Sequence, residues 1–340
     1  MASSVNGKSA IVTGAGSGIN LSFAKLLLEN GCNVLIADLA LRPEAQVIVD
    51  KHSPQTTSSR AVFQQTDVTD WVQLERIFEV AEREFGEIDI VCPGAGVYEP
   101  VCPLFIQLRL HPRAEEHDPN MTAQEQFLAS SWIIPESRFA RRRPICLVDI
   151  NLSHPIRTTQ LAISHFLRHR ASKKPKNIVH ISSIAGQNPA FAAPIYVATK
   201  HGINGLVRSM AKLDQLFGIR VTAVAPGVIK TPLWTEHPEK LKMVNDAADA
   251  WVTPEEVAEV MLALVQQDQV SEVIGDQEGR GRQFEVQGGT ILEVSKTVRA
   301  VSPYNDPGPG TRPGNTASDT GFVVDEAIGL LSQRGWGSKL

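Results

Sequence analysis

Ser9-Ala-Ile-Val-Thr13, followed by Gly14-Ala15-Gly16-Ser17-Gly18-Ile19, is the stretch that decides the reading of this chain. Ser9 to Thr13 reads as a short buried strand and the amphipathic run Asn20 to Glu29 as a helix, which puts three glycines in the turn between them. Glycine lets the backbone turn tightly and come close to a ligand, and the helix start behind it offers unpaired N–H groups to an anion. A turn of this kind is expected to cradle the diphosphate of a dinucleotide, with Thr13, Gly14, Gly16, Ser17, Gly18 and Ile19 as contacts. An ordinary tight turn is the alternative.

Outward from this turn the same rhythm continues. Strands are expected at Cys32 to Ala37, Ala61 to Gln65 and Ile88 to Cys92, and helices at Pro43 to Lys51 and Trp71 to Phe85. After Val97 the pattern stops, and residues 98–144 hold scattered prolines and the run Arg138 to Arg143 without a sustained period. This stretch reads as an irregular insertion, either a real element near the active-site mouth or in part a retained intron. Alternation then resumes with a helix from Leu147 to His169 interrupted near Pro155, a strand at Asn177 to Ile181, a helix from Pro194 to Phe217 and a strand at Ile219 to Ala225. Trp234 to Ala250 reads as a mobile helical lid. Thr253 is expected to cap a helix over Pro254 to Gln266, with Glu256 in capping-box position, and Gln283 to Val286 is read as the last strand. Residues 301–321 are rich in Pro, Gly, Asn and Asp and read as loop, with a short helix at Val324 to Gln333. Apolar strands separated by helices imply an α/β fold, a single doubly wound domain with a central parallel sheet over 8–300 and a loop-rich tail over 301–340.

Composition narrows the function. The 340 residues carry 33 Lys+Arg against 37 Asp+Glu, a formal charge of −4, and 42% hydrophobic residues. That balance gives no general electrostatic reason to expect nucleic acid or an anionic membrane as partner. No uncharged apolar stretch reaches the ~20 residues of a membrane span, so a cytoplasmic location is expected. The four cysteines form no Cys-x-x-Cys pair, and neither a disulfide framework nor a metal site is expected.

Asp38 ends the second apolar run at the place where a carboxylate can accept hydrogen bonds from an adenosine ribose and repel a 2′-phosphate. NAD is therefore favoured over NADP, although Arg42 nearby could partner a phosphate. Tyr196 and Lys200 stand four residues apart at the start of a long helix, on one face. A phenolate at neutral pH needs the tyrosine pKa brought down by roughly 3 from its usual ~10, or ~4 kcal/mol. The Lys200 cation, with the positive charge of an oxidised nicotinamide, has the sign to contribute. Ser183 ends the preceding strand, where a hydroxyl points into the crevice used by open parallel sheets, and Ser182 competes with it by residue type.

These motifs, in this order, resemble the short-chain dehydrogenase/reductase family from Lys8 to about Ala300, outside the insertion. The segments 196–202 and 288–294 look most like its hydroxyprostaglandin-dehydrogenase-like branch and related fungal enzymes of secondary metabolism. The resemblance implies Asn151, Ser183, Tyr196 and Lys200 as catalytic residues. Ser183 would hold the substrate oxygen, Tyr196 exchange the proton, Lys200 hold the cofactor ribose and Asn151 anchor a water relay. It further implies cofactor contacts from Asp67, Val68, Gly94, Ala95, Gly96, Pro226, Gly227, Val228 and Thr231, beside Tyr196 and Lys200. The implied activity is hydride transfer between NAD and a secondary alcohol or ketone of a small lipophilic substrate, in a homodimer or homotetramer. An NADPH-dependent ketoreductase and a catalytically silent dinucleotide-binding chain disabled by its insertion are the alternatives.

Three positions depart from the family pattern. Asn20 stands where the last glycine of the turn motif belongs, which is expected to loosen helix packing or alter the phosphate contact. Pro93 and Gly94 replace two asparagines, and Ala193 replaces the glutamine of hydroxyprostaglandin dehydrogenase, so a prostaglandin substrate is not supported. Tyr98, Phe191, Leu233 and Trp234 are candidates for the substrate pocket, with core packing as the alternative. Arg141 to Arg143 read as a solvated loop, His180 and His201 as packing residues, and Cys92 as core.

Overall fold

The computed structural model describes residues 4–53, 59–98, 146–169, 174–190, 193–236, 241, 251–271, 283–295, 297–303 and 321–333. The expected insertion, apart from Tyr98, lies outside them, as do Arg138 to Arg143, Phe191 and most of the expected lid and tail.

Ten strands are described: β1 (Ser9–Thr13), β2 (Asn33–Asp38), β3 (Ala61–Gln65), β4 (Ile90–Pro93), β5 (Lys176–Ile181), β6 (Ile219–Pro226), β7 (Gln269–Ser271), β8 (Gln283–Glu285), β9 (Ile291–Val294) and β10 (Val298–Ala300). Eight form one sheet in the order β3-β2-β1-β4-β5-β6-β9-β10. All neighbours are parallel except β9 and β10. The helices are α1 (Gly18–Glu29), α2 (Pro43–Lys51), α3 (Trp71–Phe85), α4 (His154–Arg168), α5 (Pro194–Ser209), α6 (Lys212–Phe217), α7 (Pro232–Thr235), α8 (Pro254–Gln266) and α9 (Gly321–Ser332).

The side-chain alternation of the strands feeds two cores. Ala10 and Val12 of β1 point to one side with Phe23, Leu27 and Met261 of α1 and α8, while Ile11 points to the other with Ile77 and Phe166 of α3 and α4. Both faces are thus covered, which explains why the central strands read as continuous apolar runs. Chain order reverses between β1 and β4, so the loops leaving their carboxyl ends diverge and open a crevice.

Three expectations are corrected. Gln283 to Val286 is not the last strand of the sheet: Gln283–Glu285 pairs antiparallel with Gln269–Ser271 in a separate two-stranded sheet, and β9 and β10 complete the main one. The expected helix from Pro194 to Phe217 is two helices, broken near Met210 and Ala211. The expected Leu147 to His169 helix opens with a short turn at Cys146–Val148 and a wide turn over Asp149–Ser153, and regular α-helix begins at His154 with Pro155 in its first turn. Of the expected lid, Trp234 and Thr235 end the short helix Pro232–Thr235 and Leu241 is helical, while 237–240 and 242–250 lie outside the described residues. The capping box at Thr253 and Glu256 is present in both directions.

Candidate active site

A cavity of about 510 Å³ fills the crevice at the carboxyl ends of β1, β4, β5 and β6. The β1–α1 turn forms its floor. Gly14 has φ +72, and a Cβ there would lie 2.6 Å from Ala95 Cα. Only glycine fits this approach of two loops. Ser17 makes no side-chain cap, which leaves the first N–H groups of α1 at the cavity without a capping side chain. An anion is what this end of a helix accepts.

Asp38 leaves β2 beside the turn. Its carboxylate accepts from Gly16 N–H at 2.7 Å and Leu39 N–H at 2.7 Å. Burial nevertheless raises its pKa, against those hydrogen bonds and the Arg42 charge. Arg42 is engaged elsewhere: its guanidinium grips the Glu236 carboxylate with both terminal nitrogens, Nη2 to Oε2 at 2.7 Å. Glu236 lies 194 positions away in sequence, so no spacing argument could have found it.

Most expected residues meet at this cavity. Gly14, Gly16, Ser17, Gly18 and Ile19 line it from the turn, Asp38, Asp67 and Val68 from the ends of β2 and β3, and Gly94, Ala95 and Gly96 from beyond β4. Ser183, Tyr196 and Lys200 line it with Pro226, Gly227 and Thr231. Thr13, Asn151 and Val228 are absent from the lining. Thr13 Oγ1 accepts from Ala95 N–H at 3.3 Å and lies 3.0 Å from His154 Nε2. Val228 offers its carbonyl to Val252 N–H at 3.1 Å. The Asn151 side chain clamps Val97, donating to its carbonyl at 2.7 Å and accepting from its N–H at 2.8 Å. That amide fixes the loop after β4; it does not reach into the cavity.

At the opposite end of the cavity, Ser183 is hydrogen-bonded to the Tyr196 phenol. Ser182 is committed elsewhere, donating to Asn204 Oδ1 at 2.6 Å, which resolves the competition between the two serines. Lys200 Nζ lies 5.4 Å from the centre of the Tyr196 ring and donates to Ile181 O at 2.9 Å. Burial pushes Tyr196 up to about 12, with the Ser183 hydrogen bond opposing, and brings Lys200 down to about 8. The chain by itself therefore keeps Tyr196 a phenol: burial dominates, and Lys200, its ammonium bonded to the Ile181 carbonyl, does not offset it.

The mouth is aromatic. Tyr98 meets Tyr196 edge-on with ring centres 4.7 Å apart, Trp234 stacks on Tyr98 at 5.8 Å, and Trp251 stands 6.5 Å from Trp234. Of the four pocket candidates, Leu233 and Trp234 line the cavity, Tyr98 packs against Tyr196 and Trp234 beside it, and Phe191 lies outside the described residues; Trp251 was missed.

The remaining ionisable clusters serve packing. His180 is buried, 3.1 Å from Thr159 Oγ1, and is pushed down to about 3 by burial; exposed His201 contacts the Val197 carbonyl. Glu82, His165 and His169 gather ligand atoms within 4.8 Å of one another. Ile88 N–H, however, donates to His165 Nε2 at 3.1 Å, so the neutral ring carries its proton on Nδ1, the atom nearest Glu82. A protonated nitrogen has no lone pair for a metal.

The description of short chain dehydrogenases matches residues 8–118 and 134–242. A cis-4-hydroxycyclohexanecarboxylate dehydrogenase of Sinomonas cyclohexanicum is 32% identical over 271 residues, 78% of this chain and 92% of that protein. The 15-hydroxyprostaglandin dehydrogenase [NAD(+)] of Rattus norvegicus is 31% identical over 67% of this chain and 71% of its own. Among solved structures, a 3-ketoacyl-(acyl-carrier-protein) reductase from Brucella melitensis complexed with NADH shares the fold at a TM-score of 0.57 and 21% identity, covering 86% of this chain and 98% of that one. No helix among the described residues is long and apolar enough to cross a membrane. Motif order, sheet order and the converging serine, tyrosine and lysine agree with these matches: the chain belongs to the short-chain dehydrogenase family, oxidoreductases that act on alcohols and ketones with a nicotinamide cofactor.

Proposed function

We propose that this protein uses NAD rather than NADP to interconvert a secondary alcohol and a ketone on a small, lipophilic, ring-containing substrate. The observation that carries the reading is the meeting, in one cavity, of a glycine turn with Asp38 at one end and the Ser183–Tyr196 pair beside Lys200 at the other. The site fits a dinucleotide: the uncapped start of α1 suits the diphosphate, and Asp38 suits an adenosine ribose.

When bound, the nicotinamide supplies or accepts the hydride. The chain does the rest. Ser183 holds the substrate oxygen, and Tyr196 holds the proton that leaves the alcohol or arrives at the ketone. Lys200, anchored on the Ile181 carbonyl, keeps two ammonium protons for a ribose. Asn151 acts on the reaction through Val97, by fixing the loop that carries Gly96 and Tyr98.

Preference for NAD rests on two charges. The Asp38 carboxylate would repel a 2′-phosphate, and Arg42, the nearby cation, is neutralised by Glu236. The ring-containing substrate rests on Tyr98 and Trp234 beside the phenol, and the hydroxycyclohexanecarboxylate dehydrogenase among the relatives acts, by its name, on a cyclic alcohol. The test is nicotinamide absorbance with NAD and NADP against a panel of cyclic and open-chain secondary alcohols and ketones. Faster turnover with NAD and cyclic substrates is expected; a preference for NADPH would overturn the Asp38 argument, and absence of turnover with every pair would favour the silent-chain alternative.

A further inference from the structure

Asn20 is the third residue of α1, where the sequence leads to the expectation of looser helix packing or an altered phosphate contact. The structure shows what its side chain meets. Asn20 is 8% exposed and sits across the crevice against Gly94. A Cβ built on Gly94 would stand 2.6 Å from Asn20 Cγ and 2.8 Å from its Nδ2, so any side chain at 94 would claim the space the amide now fills. The departures at 20 and 94 are therefore one change, in which bulk moves from the β4 loop to the helix.

The amide is placed to do more than fill space. Its Oδ1 lies 3.9 Å from Cys92 Sγ, a weak contact with a thiol that burial keeps protonated. Among the described residues no other hydrogen bond reaches it, yet Asn20 lines the cavity beside the uncapped start of α1. Its amide nitrogen is not among the fully buried polar atoms left without a partner, so its N–H donors lie at the cavity, where a ligand oxygen can take them.

Resting on the dinucleotide reading above, we propose that Asn20 is a cofactor contact: its Nδ2 donates to an oxygen of the diphosphate–ribose stretch, and residue 94 is glycine so that this amide can lie there. The contact joins the backbone N–H groups of the same helical turn and gives α1 a side-chain grip on the ligand.

The test is binding, read by quenching of the intrinsic tryptophan fluorescence of the full chain, with NADH, ADP-ribose and AMP as probes. For Asn20→Ala and the isosteric Asn20→Asp, affinity for NADH and ADP-ribose is expected to fall about tenfold or more, further for Asp because its charge opposes the diphosphate, while AMP binding stays within twofold. Gly94→Ala is expected to weaken NADH about as much, and Asn20→Ala/Gly94→Ala no more than Asn20→Ala alone, since the obstructed side chain is gone. Unchanged melting of the ligand-free variants shows that the effect is local. Parental NADH affinity in both Asn20 variants overturns the contact with the dinucleotide reading left standing, and additive losses in the double variant overturn the pairing with Gly94. A parent chain that binds neither NADH nor NADPH overturns the dinucleotide reading and this proposal together.

Discussion

The two ends of the cavity are built by different means. At the dinucleotide end the wall is mostly backbone: Gly14 pressed on the Ala95 main chain, Gly16 on the Ala40 carbonyl, and the first N–H groups of α1. At the substrate end the wall is side chain: Tyr196 and Trp234 line the cavity, and Tyr98 and Trp251 pack against them ring to ring, the four arriving from separate stretches. Backbone walls tolerate almost no substitution, because an added carbon meets a main-chain atom. Walls of rings change shape with each replacement. One end is therefore expected to fix the cofactor and the other to set the substrate.

The comparison breaks most sharply at Tyr196, where the two ends meet. Tyr196→Phe is expected to lower kcat by about 10²–10⁴-fold while dinucleotide binding stays within twofold. A variant that loses binding instead would place the ring in the cofactor wall. Gly14→Val should do the reverse: a β-branched residue at φ +72 that meets Ala95 is expected to abolish dinucleotide binding and lower the melting temperature, at roughly 1–3 kcal/mol for the strained backbone alone.

Acid should attack the dinucleotide end from behind. His154 is buried against Thr13 and pushed down to about 4, below its unfolded value of about 6.5. With a depressed folded pKa, its contribution is complete above pH 6.5 and is lost as pH falls toward 4, because the unfolded chain then binds the proton more readily; the full loss is about 3 kcal/mol. Melting temperature is expected to fall over that window, and less steeply in His154→Gln. At the substrate end, Trp234→Ala is expected to raise KM for a cyclic substrate about tenfold with NAD affinity unchanged, the smallest of these effects and the one that best separates the two walls.

The same contrast explains what the sequence made legible. The helices over Pro43–Lys51 and Trp71–Phe85 and the strand over Ala61–Gln65 have the expected bounds, since local periodicity and breakers define them. The glycine turn, Asp38, Ser183, Tyr196 and Lys200 could be brought to one cavity from the sequence because strand ends and one helical spacing fix their places. β9 was missed because Glu293 interrupts a four-residue apolar run; in the sheet it is neutralised by its cross-strand partner Arg299, Nη2 to Oε2 at 2.6 Å, and bonded by Gln187. A run of apolar residues cannot announce a charge that is paired only after folding. Trp251 and the Arg42–Glu236 pair escaped for the same reason, as contacts made by the fold between distant segments.

The reversal of chain order between β1 and β4 has a consequence for the protein's persistence. Loops from both halves of the sheet face each other across the crevice, so a molecule lying there fastens them together and acts as an adhesive. A ligand present at a hundredfold its Kd would add about 2.7 kcal/mol to the folded state, a large share of what a domain usually has in reserve. Resistance to a protease would then rise and fall with nicotinamide supply, and the abundance of the protein would follow the nutritional state of its cell.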